Sequence, residues 1–186
     1  MALRIKAHWH DDEAERSIDE IASALSFNAW RIAKDKAINL HGEDFVYETD
    51  EQRFGVMAEY LIFQLALIDR IITDRMQMDD EIRKKLVMTT ARGMAKHLQD
   101  NMADVFGPGD YIQAFIATLN RRGAEYAEFN FTDEGPSYPF MRHLGYEIQQ
   151  LMGDSQENRW VIDQVMDSDG VDVYQKLSRA SMDLFG

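Results

Sequence analysis

Cysteine is missing from all 186 residues. That excludes disulfides, thiolate metal sites and cysteine nucleophiles, but it says little about compartment, since reducing and oxidising surroundings both tolerate a thiol-free chain. Proline is nearly as scarce. It occurs only at Pro108, Pro136 and Pro139, so everything before Pro108 is open to long uninterrupted helices. Long apolar runs are wanting too. The longest lies near Tyr60–Ile68 and is interrupted by Gln64, short of the ~20 residues a membrane-spanning helix needs. The N-terminal MALRIKAHWHDDE has no apolar stretch of the kind a secretory signal requires. Basic charge is in deficit, with 20 Lys and Arg against 33 Asp and Glu and a formal net charge of −13. A nucleic-acid binder needs a basic face. The densest basic runs, Arg83-Lys84-Lys85 and Arg121-Arg122, are short and read as solvated helix surface. The same charge disfavours anionic membranes. The expectation is a cytoplasmic protein that binds neither nucleic acid nor membrane.

What is present is helical periodicity, almost without interruption. With 45% hydrophobic residues there is material for one ordinary core. Ile18, Ile21, Ala22, Leu25, Ala29 and Ile32 form one stripe, preceded by acids at Asp11 and Asp12 that suit a helix start. A second helix follows Thr49 and Gln52, which have capping-box spacing. Phe54, Met57, Leu61, Leu65 and Ile68 mark one face, and Val56, Tyr60, Phe63 and Leu67 another. A helix apolar on two faces is central, or is shared with a second chain. A third helix is expected from Asp79 to the Gly107-Pro108 stop. A fourth, capped by Asp110, contains Gly123, which costs ~1 kcal/mol relative to Ala and so suggests a close contact or a kink. After the loop NFTDEGPSYP, Ser137 is expected to cap a fifth helix. Asp154 and Glu157 have capping-box spacing, and DSDG at 167–170 is expected to break the chain before a last helix. The fold class is therefore all-α: a single-domain helical bundle of six to seven helices, the first three long. An N-terminal arm spans 1–10 and one helical domain 11–186.

Candidate chemistry is sparse. His8, His10 and Asp11 cluster in the arm and are the weak metal candidates, but zinc needs three or four ligands. No Glu precedes a His by three, as a di-metal carboxylate bundle would require. DSDGVD fails as a calcium loop, because Val165 and Lys176 would hold its first and twelfth positions. Glu59 and Arg70 share a face of the most apolar helix and must be paired or reach solvent. His97, Asn101 and Asp104 line one face of the third helix. His143 and Glu147 are four apart in YPFMRHLGYEIQQLM, which suits a surface hydrogen-bonded pair, a metal half-site, or a base with an orienting acid.

That last segment, with Pro139, His143 and Glu147 followed by apolar residues, resembles the signature of the all-helical chaperones that mature molybdenum redox enzymes. Arg142 stands where an Asp is usual before the histidine. The resemblance covers Tyr138–Met152 and implies peptide or partner binding near His143 and Glu147. No catalytic template is present and no cofactor is expected. The reading is a non-catalytic interaction protein (an adaptor, assembly factor or chaperone-like protein) that forms a homodimer and binds a protein or peptide partner. The alternative is a small-ligand or metal-dependent helical protein, conceivably an enzyme, using His143, Glu147, His97, Glu59 and Arg70.

Overall fold

The computed structural model describes residues 17–42, 45–76 and 78–185. His8, His10, Asp11 and a cap at Asp12 lie outside the described residues. Three long helices come first: α1 (Ile18–Gly42), α2 (Asp50–Met76) and α3 (Asp80–Phe106). Shorter helices α4 (Ile112–Ala127) and α5 (Tyr138–Met152) follow, then α6 (Val161–Gln164) and α7 (Gly170–Phe185). Among the described residues the fold is all-α apart from one tiny hairpin, β1 (Phe131–Thr132) with β2 (Gly135–Pro136), registered Phe131 to Pro136.

Local chemistry explains most of the boundaries. Ser17 and Glu20 form a reciprocal capping box at the start of α1. The Ser17 hydroxyl accepts from the Glu20 N–H, and the Glu20 carboxylate accepts from the Ser17 N–H. Thr49 Oγ1 accepts from the Gln52 N–H, while Gln52 reaches back to the N–H of Glu48. Asp79 caps α3 through the N–H groups of Glu81 and Ile82. Gly107 ends it with a φ of 87° that only glycine adopts cheaply.

Other expectations about the boundaries are corrected. Ser137 precedes α5 but its hydroxyl makes no cap bond, and α6 starts at Trp160 without a side-chain cap. DSDG does not break the chain. Residues 165–169 form a π-helical turn that joins α6 to α7 without interruption, and Gly170 is helical with φ −63°. The turn is held by burial. Asp169 is only 4% exposed and meets Lys36 Nζ at 3.5 Å and the Tyr60 hydroxyl at 3.4 Å. A sequence rule that reads Asp, Ser and Gly as loop formers misses this partner on α1.

The core is built around α2, which α1, α3, α4, α5 and α7 surround. Its buried residues fall on every side of the helix, so both apolar faces are used within one chain. α1 packs chiefly on α3. A Cβ at Gly93 would sit 2.5 Å from Ser26 Oγ, so the glycine sets how closely those helices approach. Asn158, buried, fastens the segment before α2: its side chain bonds both the N–H and the carbonyl of Val46, each at 2.9 Å. Among the described residues no helix is long and apolar enough to cross a membrane.

At Gly123 neither the expected close contact nor any other packing need is found. A Cβ there would meet nothing within 4 Å. Gly123→Ala is therefore expected to stabilise the protein by ~0.5–1 kcal/mol, through helix propensity alone. A rise in the urea midpoint with an unchanged slope is the readout.

Candidate functional site

Arg122 should be an anomaly on α4. It falls in the helix's apolar stripe, between Leu119 and Tyr126, and is 9% exposed. A charge in such a stripe must find partners, and this one finds three carboxylates. Its Nε donates to both oxygens of Glu59 on α2, each at 3.2 Å. Its Nη1 donates to Glu125 Oε2 at 3.1 Å, and its Nη2 to Glu147 on α5. His143 Nε2 lies 2.8 Å from the same Glu125 oxygen, donating to it. The planar fork of a guanidinium spreads its donors over a wide fixed arc, which suits three acids on three helices.

The cluster is short of positive charge. Burial pushes the Glu59 carboxyl up to about 7, although Arg122 opposes the shift. Glu125 also feels burial, but its bonds to Arg122 and His143 outweigh it and hold the group below the usual range. The two directions fit one picture: three carboxylates exceed what one guanidinium can balance, and the most buried of them takes up a proton near neutral pH. Tyr126, on the next position of α4, is raised by burial and then by the Glu59 charge. Its hydroxyl has no partner among the described residues.

The structure thus brings Glu59, His143 and Glu147 together and separates Arg70 and His97 from them. Glu59 is not an exposed edge, and it pairs with Arg122 rather than Arg70. His143 and Glu147 do not pair with each other, because both turn to α4. Arg70 serves the end of α4, donating through Nη2 to the carbonyls of Ala127 at 2.9 Å and Phe129 at 3.1 Å. It supplies the cation that a helix C-terminus favours. His97 stacks on Trp30 with ring centroids 6.0 Å apart, and burial lowers its pKa. Arg122 and Glu125 escape the sequence reading because Arg121-Arg122 looks like a solvated pair. The available signal is the position of Arg122 within the apolar stripe.

Glu125, His143 and Glu147 can place one ligand atom each within 4.8 Å of one another, the number of protein ligands a catalytic zinc has. The Arg122 guanidinium already lies on two of them, however. An ion there would have to compete with a cation already bonded to both carboxylates.

Along the neighbouring face of α4 lies a different feature. Between α2, α3 and α4 runs an open trough of about 550 Å³. Its floor is Ile62, Leu65 and Ala66 of α2, and its walls carry Val87 and Met88 of α3 and Leu119 of α4. Arg70, Arg83 and Lys84 lie along it, with Asp69. Gly123, with its open side, is part of the α4 wall. A smaller cup of about 360 Å³ on α5 is lined by Phe129, Tyr138, Pro139, Tyr146, Arg142 and His143.

The chain matches no protein-family model, no curated protein and no solved structure. The resemblance to the molybdenum-enzyme chaperones therefore rests on Tyr138–Met152 alone. Both of its polar residues spend their side chains on α4, inside the ion cluster.

Proposed function

We propose that the protein is a non-catalytic helical interaction protein whose partner segment docks in the trough between α2, α3 and α4. The observation that carries this reading is the trough itself, apolar along its floor and open to solvent, with Met88 55% exposed at its rim. Small-molecule sites enclose most of their ligand, whereas an open apolar trough suits a protein segment. The ion cluster supports the same reading from the neighbouring face of α4. Its bonds tie α4 to α2 and α5, and its acids and histidine are bound to their neighbours rather than poised for a substrate. Self-association was expected from the two apolar faces of α2, and that motive is gone because α2 is enclosed within one chain.

The test is selection of helical peptides from a display library on the wild-type protein, with counter-selection on Gly123→Trp. A Cβ at position 123 meets nothing within 4 Å and the position lines the trough, so the tryptophan is chosen to occupy that space. Peptides recovered by the wild type and lost by Gly123→Trp are expected. A library that yields no such peptide overturns the reading.

The alternative, a metal-dependent protein, is supported by the closeness of Glu125, His143 and Glu147. It requires Arg122 to give way. Stoichiometric zinc uptake in calorimetry, lost in His143→Ala, would favour it over the trough.

A further inference from the structure

Resting on the trough reading above, we propose that the occupant is a partner protein's amphipathic helix of about three turns, with carboxylates along its edges. Length comes from α2. Its lining residues run from Ile62 to Thr73 at helical spacing, which is about 16 Å of trough, or about 11 residues of a docked helix. Such a helix sets apolar anchors at i, i+3 or i+4, and i+7 onto the floor.

Charge comes from the rim. Arg70 marks one side and Arg83 and Lys84 the other. Among the residues that line the trough, these three cations face one carboxylate, Asp69, which binds Arg83. Asp80, outside the lining, binds Arg83 and Lys84, and Glu81 also acts on Lys84. The lining itself is positive in a chain whose total is −13. Donors remain available. Arg70 uses only Nη2, on the α4 carbonyls, and its Nε and Nη1 make no bond among the described residues. The Lys84 side chain is 56% exposed. A guanidinium edge and an ammonium flanking an apolar floor are the complement of an apolar helix bordered by Glu or Asp. At physiological salt the screening length is about 8 Å, so a docked helix feels this rim more than the distant surface acids. A second copy of the chain is disfavoured as the occupant, because two bodies of −13 repel.

Gly123 gives an independent indication. It weakens α4 by ~1 kcal/mol relative to Ala, has no packing role, and opens toward the trough. A side chain at that position would narrow the space between α4 and any docked helix.

The experiment uses a pair of fluorescein-labelled peptides of about 14 residues. Both carry the same leucines at i, i+3 and i+7; one has Glu and the other Lys at the flanking positions. Anisotropy is measured against wild type, Gly123→Trp and Lys84→Glu. The Glu peptide is expected to bind wild type about tenfold more tightly than its Lys twin. Lys84→Glu should narrow that ratio, and Gly123→Trp should abolish binding of the Glu peptide. If both peptides bind alike, or the Lys peptide more tightly, and Gly123→Trp still blocks them, the charge inference falls and the trough reading stands. If neither peptide binds, or if Gly123→Trp leaves binding unchanged, both fall.

Discussion

Arg122→Met is expected to destabilise the protein by about 3–5 kcal/mol, the usual cost of removing one partner from a buried ion cluster. Methionine keeps an unbranched aliphatic stem in the stripe between Leu119 and Tyr126. What it removes is the one guanidinium bonded, among the described residues, to Glu59, Glu125 and Glu147. Glu59 is 4% exposed and would be left buried without a cation. In a chain of this size the loss corresponds to a fall in Tm of about 10 °C. Arg122→Lys should fall between the two, because an ammonium cannot reach three carboxylates in the fork geometry. The double variant Arg122→Met with Glu59→Gln should recover part of the loss, since the two changes act on one bond network and cannot add. Urea unfolding of the four proteins checks this. A cost below ~1 kcal/mol for Arg122→Met would mean that the cluster is not sealed from water.

The second large effect is in the pH dependence. Burial raises Glu59 from 4.5 to about 7, so between those values the folded protein holds a proton that the unfolded chain has released. Stability must then fall as pH rises through this window. The contribution is fully present below pH 4.5, is lost as pH passes 7, and amounts to about 3 kcal/mol over the whole range. Glu125, Asp80 and Asp172 are shifted the other way, so they act on the acid side, losing stability as pH drops. His97 is lowered by burial from 6.5 and has the opposite slope to Glu59 within an overlapping window. The clean readout is therefore the difference between wild type and Glu59→Gln. Glutamine mimics the protonated acid and still accepts from Arg122 Nε. The variant should match wild type near pH 5 and be the more stable protein at pH 8. Parallel stability curves for the two proteins would refute the raised pKa.

Both effects bear on the proposed trough. The Arg122 bonds hold α4 against α2 and α5, and the Arg70 bonds hold its C-terminal end. Between them they fix the wall that carries Leu119 and Gly123. Anything that loosens the cluster is thus expected to blur the trough before it unfolds the domain, by allowing local motion of α4.

By itself the sequence determined the helices and many of their ends. The period of α2, the boxes at Thr49 and Gln52, the cap at Asp79 and the stop at Gly107 all follow from interactions within about four residues of each other, and these are readable in a line of letters. It also implied, through the two apolar faces of α2, that this helix is either central or shared with a second chain. Tertiary structure alone decided which charges meet. Glu59 finds Arg122 at a separation of 63 residues, and Glu147 finds it at 25. Arg70, on the same helix face as Glu59, instead caps α4. The same holds for DSDG, whose local preference for a break yields to the burial of Asp169 beside Lys36 on α1. Pairings of this kind depend on how whole helices pack. A single sequence records that a buried charge needs a partner, but the partner is chosen by the packing of faces that lie far apart along the chain.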